Sequence, residues 1–294
     1  MTWKPFLRLM LLFLLVFPST YFQTTASTAQ DEVIVAVLDT GVDDSHPLLA
    51  GQVIHGWDFI DQDPLSEDQT GHGTHVAGII KQNAPEAKIL AIRMITGQDV
   101  QHTAQAILYA ISHGADIVNM SFIEPYDVLT EQVIQFGISQ GVVFVASSGN
   151  QQEDAVYYPA KYEGVLSVAA VDENFESIYG NYGEGLTYAA PGINIESAYL
   201  DGENKRMTGT SMSAAYASGV IAYVKQQYPQ GTVKQLQYIL ETHVQQMEAY
   251  TLLRTREQVN RSIRVLNMEH MRQALHIPDD PASEPLKTLA VVDP

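Results

Sequence analysis

The stretch Gly209–Thr210–Ser211–Met212–Ser213–Ala214–Ala215–Tyr216–Ala217–Ser218–Gly219 constrains the fold more than any other. It follows a turn-rich segment with Pro191, Gly192 and Gly202, and leads into Val220, Ile221, Tyr223 and Val224. It therefore reads as a loop entering a helix, with Ser211 at the helix start. The run of Ala, Ser and Gly lets such a helix pass close to neighbouring backbone or lie deep in a core. Ser211 then has two readings. It is a helix cap, or it is a nucleophile placed where unpaired N–H groups and the positive helix end favour a developing anion. The second reading needs a histidine and a carboxylate elsewhere in the chain.

Upstream, Val33–Ile34–Val35–Ala36–Val37–Leu38 is continuously apolar and rich in β-branched residues. That pattern predicts a strand buried on both faces. It ends at Asp39–Thr40–Gly41, where α/β sheets place their sites, although a turn-capping aspartate fits as well. Further strands are predicted over 89–94, 117–121, 142–146 and 165–171. Helices are predicted over 103–113, with Ala104, Ile107, Leu108 and Ile111 on one face, and over 128–140 and 231–247. Two more are expected around Arg256 and over 268–275. Strand and helix alternate with short links, which predicts an α/β fold of three layers, α/β/α, with a mostly parallel central sheet.

The formal net charge of −18 argues against nucleic acid as a partner, and the absence of cysteine excludes disulfides and thiol chemistry. Lys4 and Arg8, the apolar Leu9 to Phe17, Pro18, and Ser27 and Ala29 before Gln30 read as a cleaved secretion signal over 1–29. The rival is an uncleaved membrane anchor, for which the apolar core is short. The expected organisation is a signal over 1–29, one domain over 30–277, and a loosely ordered tail over 278–294. The last is rich in Pro, Asp and Glu.

Between these landmarks lie two polar clusters. In 56–68, aromatic residues alternate with Asp58, Asp61, Asp63 and Glu67, close enough in sequence to wrap a hard cation or simply to form a solvated acidic loop. Gly71–His72–Gly73–Thr74–His75–Val76–Ala77–Gly78 reads as a glycine-hinged helix start on which His72 approaches the sheet edge near Asp39.

Taken together, Asp39–Thr40–Gly41, the segment 71–78, Ser147–Ser148–Gly149–Asn150 and Gly209–Thr210–Ser211–Met212 resemble the aspartate, histidine, oxyanion and serine boxes of the subtilisin-like serine proteases, in family order. The resemblance covers about 33–219. It implies a subtilisin-like fold and a secreted, monomeric serine endopeptidase acting on proteins or peptides, with no cofactor required for chemistry. Ser211 is then the nucleophile, His72 the base and acid, and Asp39 the orienter. Asn150 and the Ser211 N–H become oxyanion donors, and His75 is structural. The resemblance also implies that Ser121, Phe122 and Ile123 pair the substrate backbone and that Gly149 lines a pocket.

The departures from the family pattern are specific. Ala215 and Tyr216 stand where the family carries proline and histidine. Ile123 stands where a glycine is usual, which narrows the pocket or shifts the substrate. The loop after Ile80 is too short for the family's tight calcium site, whereas 58–67 looks like the weaker calcium loop of thermophilic members. Little chain separates the signal from Asp39, so no inhibitory folding domain is expected between them. A catalytically weak or inactive peptide-binding relative is the alternative reading.

Overall fold

The structure, a computed structural model, describes residues 32–97, 99–175, 177–252 and 258–275. The expected signal, the helix placed around Arg256 and the tail from 278 lie outside the described residues.

The element order begins β1 (Ile34–Asp39), β2 (Val53–Asp58), α1 (His72–Asn83), β3 (Lys88–Arg93), β4 (Ile95–Thr96), β5 (Asp99–Val100) and α2 (Thr103–Ser112). It continues with β6 (Ile117–Met120), α3 (Val128–Ser139), β7 (Val143–Ser147), β8 (Leu166–Val171), β9 (Ser177–Tyr179) and β10 (Tyr188–Pro191). The last elements are β11 (Ile195–Ala198), β12 (Asn204–Met207), α4 (Thr210–Gln227), α5 (Val233–His243), β13 (Gln245–Leu252), β14 (Gln258–Val265) and α6 (Met268–Ala274). Among the described residues the main sheet runs β10-β14-β13-β9-β8-β7-β6-β1-β3-β2. Its centre, from β2 through β8, is parallel throughout.

The three layers follow from alternation along the strands. Val35 and Val37 of β1, Ile89 and Ala91 of β3, and Val143 and Val145 of β7 join one core with residues of α1 and α4. Their neighbours Ala36, Leu38, Leu90, Ile92, Phe144 and Ala146 join a second core with residues of α2 and α3. Because both faces are covered, the central strands are mostly apolar, with Asn119 of β6 and Ser167 of β8 as buried polar exceptions. The small residues of α4 do what their size allows. Ala214, Ala215 and Ala217 are fully buried, and a side chain on Gly219 would stand 2.7 Å from Asn83 Cβ, so α4 and α1 cross in near contact.

Two element assignments from sequence are corrected. Leu108 is 45% exposed, and the buried face of α2 is instead Thr103, Ala106, Ile107 and Ala110. The predicted helix over 231–247 stops at His243, and Met247 lies in β13. The segments flanking Arg256 are the strands β13 and β14, an antiparallel pair that adds to the sheet between β9 and β10. Alternating polar and apolar residues in 245–252 and 258–265 satisfy strands because β9 and β10 offer edges from far upstream in the chain.

Candidate active site

Asp39 closes β1 and is fully buried. Its Oδ1 lies 2.7 Å from His72 Nδ1 and accepts from the Thr40 N–H at 2.8 Å. His72 is the first residue of α1, and its side chain is 28% exposed, so its ring has one edge on the carboxylate and one toward solvent. Close approach of the two boxes requires Gly73: a Cβ there would stand 2.1 Å from the Gly41 carbonyl oxygen. Burial pulls His72 toward the neutral form, but the charge and hydrogen bond of Asp39, with Asp68 behind it, outweigh this and raise its pKa above the ordinary imidazole value.

Leu38 pairs with Met120 across β1 and β6, so Asp39 and Ser121 stand at the same level on adjacent strand ends. Ser211, in the first turn of α4, reaches this level from the other side. Its hydroxyl donates to the Ser121 carbonyl at 3.0 Å. The Ser121 hydroxyl lies 2.8 Å from Asn119 Oδ1 and 3.1 Å from the Ser211 carbonyl, and Asn119 Nδ2 donates to Ser218 Oγ on α4 at 3.0 Å. The serine helix is thereby pinned to the end of β6. Asn150 follows β7. Its Oδ1 accepts from Thr210 N at 3.0 Å and from Thr210 Oγ1 at 2.9 Å. The amide oxygen is thus spoken for and the NH₂ group is turned the other way. Thr210 N is taken by Asn150 and Met212 N bonds the Gly209 carbonyl at 3.1 Å, while the Ser211 N–H is among the first-turn donors for which a helix has no i−4 acceptor.

The residues expected to meet substrate differ in character. The Phe122 side chain is buried in the core between sheet, α2 and α3. Ile123 is 37% exposed. Gly149 has φ +108°, and its carbonyl accepts from Asn181 N at 2.8 Å. His75 is fully buried, with Nε2 between the Ile195 and Lys205 carbonyls and Nδ1 unpartnered. Burial lowers its pKa and keeps it neutral, a structural histidine.

The carboxylates expected to hold calcium have protein partners or face solvent. Asp58 Oδ2 lies 2.6 Å from Arg93 Nη1, which also contacts Asp61, while Asp58 Oδ1 accepts from the Ile60 and Asp61 N–H groups. Asp63 Oδ1 accepts from Leu65 N, and Glu67 is exposed. Among the described residues no group of three or more acidic or histidine side chains gathers in a way that could hold a metal.

Two residues that sequence reasoning passed over brace the site. Asn181 is fully buried: Oδ1 accepts from Gln151 N at 2.9 Å, and its carbonyl accepts from Ser148 Oγ, so it holds the loop that carries Asn150. Asp68 accepts hydrogen bonds from Thr40, Thr70, Gly71 and Thr74. Its position, three residues before the Gly71–His72 pair and six before Thr74, was the available signal, since a carboxylate just ahead of a helix start is a capping pattern. The Tyr216 hydroxyl oxygen accepts from Met268 N at 2.8 Å, which ties α4 to the start of α6.

Comparison with known proteins fits this geometry. The model of the subtilase family matches residues 30–263. A thermophilic serine proteinase of Bacillus sp. strain AK1 is 36% identical over 219 residues, which cover 69% of this chain and 54% of that protein. Thermitase of Thermoactinomyces vulgaris is 35% identical over 208 residues, or 66% of this chain and 75% of that one. The chain thus spans little more than half the length of the first relative. The crystal structure of a cold-adapted subtilisin-like serine proteinase superposes with a TM-score of 0.70 at 28% identity, over 79% of this chain and 87% of the other.

Proposed function

We propose that this chain, which belongs to the subtilase family, is a secreted serine endopeptidase that hydrolyses peptide bonds through Asp39, His72 and Ser211. The observation that carries the reading is the 2.7 Å contact of a buried carboxylate with the imidazole, on the strand beside the one whose end holds the serine hydroxyl. Rotation about the Ser211 Cα–Cβ bond turns its proton from the Ser121 carbonyl to His72 Nε2. The oxygen then adds to the substrate carbonyl carbon as His72 takes the proton. Asp39 fixes the tautomer by accepting from Nδ1–H and stabilises the imidazolium. The oxyanion accepts from the Asn150 NH₂ and the Ser211 N–H. Collapse breaks the C–N bond, the imidazolium protonates the leaving amine, and water repeats the sequence on the acyl-enzyme with His72 again as base. No step needs a cofactor.

The partners are protein or peptide substrates, and the chain acts as a monomer. The basic and apolar segment ahead of Gln30 supports export as a domain over 30–277 with a trailing tail. The test incubates the purified, folded chain with an unfolded protein and a serine-directed phosphonate. Cleavage and labelling at Ser211 are expected, both lost in Ser211→Ala. Folded wild-type protein that neither cleaves nor labels overturns the reading in favour of a non-catalytic peptide-binding relative.

A further inference from the structure

Asp68 is a buried charge, 8% exposed, and the hydrolytic scheme assigns it nothing. Its Oδ1 lies 2.8 Å from Thr40 Oγ1, 2.9 Å from Thr70 N and 2.9 Å from Gly71 N; its Oδ2 lies 2.9 Å from Thr74 N and 2.7 Å from Thr74 Oγ1. Thr40 directly follows Asp39, and Gly71 directly precedes His72. The Thr40 hydroxyl donates to Asp68 and at the same time accepts from Gly73 N at 3.0 Å, so the chain on both sides of His72 is tied to the residue after Asp39. A helix cap alone accounts for the bonds to Gly71 and Thr74 but not for the bond to Thr40. Taking a carboxylate out of water costs several kcal/mol unless N–H and O–H donors replace the water, as they do here.

We propose that Asp68 is a positioning residue for the proposed hydrolysis: it locks the aspartate turn and the histidine helix start into one unit and holds a second negative charge behind the imidazole. The proposal rests on the endopeptidase reading. The titratable groups that bear on His72 are Asp39 from β1, Asp68 from the loop before α1, and His75 one turn along α1. His75 is neutral, so the two carboxylates set the field. Both favour the imidazolium, against the opposing effect of burial. Asp68 acts through Thr40 and the backbone, and its contacts go to Thr40, Thr70, Gly71 and Thr74.

The test compares wild type, Asp68→Asn and Thr40→Val by kcat, KM and the pH profile of kcat/KM, each normalised to active sites counted with the phosphonate. In Asp68→Asn, kcat should fall roughly ten- to a hundred-fold, KM should change little, and the acid limb should move to lower pH because His72 loses a favouring charge. Thr40→Val keeps that charge but cuts the tie, so its kcat should fall while its acid limb stays at the wild-type position. A folded Asp68→Asn protein with wild-type kcat per active site and an unmoved acid limb overturns the proposal. If Asp68→Asn does not fold, Thr40→Val decides alone, and a wild-type kcat overturns it. Failure of the endopeptidase reading shows separately, as a wild-type protein that does not label.

Discussion

At the residue scale, Ile123 is the position most able to change what is cleaved. Its neighbours on the segment are fixed: Ser121 is held by Asn119 and α4, and the Phe122 side chain is in the core. Ile123 is left with a β-branched side chain at the surface, stiff at χ1 and unable to turn aside cheaply. If this segment pairs the substrate backbone, as proposed, that pairing would survive, since only a side chain has been added. Large aromatic residues before the scissile bond should lose room, at about 1–3 kcal/mol, the usual cost of overfilling a packed site. That corresponds to roughly five-fold to over a hundred-fold in kcat/KM. Ile123→Gly should therefore widen preference toward Phe and Tyr, read from kcat/KM on matched peptides with Ala, Leu or Phe before the bond. A wild type that already prefers Phe, unchanged by the substitution, places Ile123 outside the pocket. The four boxes were legible because this chemistry needs short strings of fixed residue types, with Gly73 and Thr210 as tight as the reacting groups. Asn181 was not, because its Oδ1 acts on the Gln151 backbone N–H, which a sequence does not distinguish; for Asp68 the place ahead of the helix start was legible, but the bond from Thr40, 28 positions away, was not.

At the element scale, two internal cations stand where a sequence reader looks for calcium. Arg93, at the end of β3, is the register partner of Asp58 at the end of β2, and that lateral pairing was invisible in the loop's own acidic string. The short connection after α1 is closed by Lys81, 2% exposed, whose ammonium donates to the Pro85 carbonyl, to the Ala87 carbonyl at 2.7 Å and to Gln52 Oε1 at 3.2 Å. Lys81→Met should leave these acceptors unpaired and cost about 2–4 kcal/mol in urea unfolding. Desolvation brings the Lys81 pKa down from 10.5 to about 8. Between those values the unfolded chain binds more protons than the folded one, so this group makes stability rise with pH from about 8 to 10.5. The difference between wild type and Lys81→Met should carry that slope. A pH-independent difference means that the ammonium keeps its proton throughout, and the sign argument fails. The hairpin β13–β14 shows the same limit of legibility as Asp58: its partners β9 and β10 are remote in sequence, and its own residues do not decide between helix and strand.

At the scale of the whole molecule, the charge distribution is the property that no single element explains. Thirty-four acidic against sixteen basic residues give −18, and self-repulsion at that charge opposes the compact state. Surface ion pairs recover little of this. Arg206 and Glu196, 2.6 Å apart, are both more than half exposed, and such pairs contribute at most about 1 kcal/mol. The buried pair of Arg93 with Asp58 is shielded from salt by its surroundings. Added salt should therefore relieve more repulsion than attraction. Raising NaCl from about 0.01 M to about 0.15 M shortens the screening length from roughly 30 Å to roughly 8 Å, and Tm should rise across that range. On the proposed endopeptidase reading, the same field would steer substrates. Peptides flanked by lysine should lose kcat/KM as salt rises, while otherwise identical peptides flanked by glutamate gain, because encounter with an anionic surface is accelerated for one and slowed for the other. Potassium chloride in place of sodium chloride should give the same curves, since screening depends on ionic strength and not on a bound ion. A Tm that falls with salt would mean that attractive pairs outweigh the net charge. Parallel salt curves for the two peptides would mean that the acidic residues lie away from the cleft.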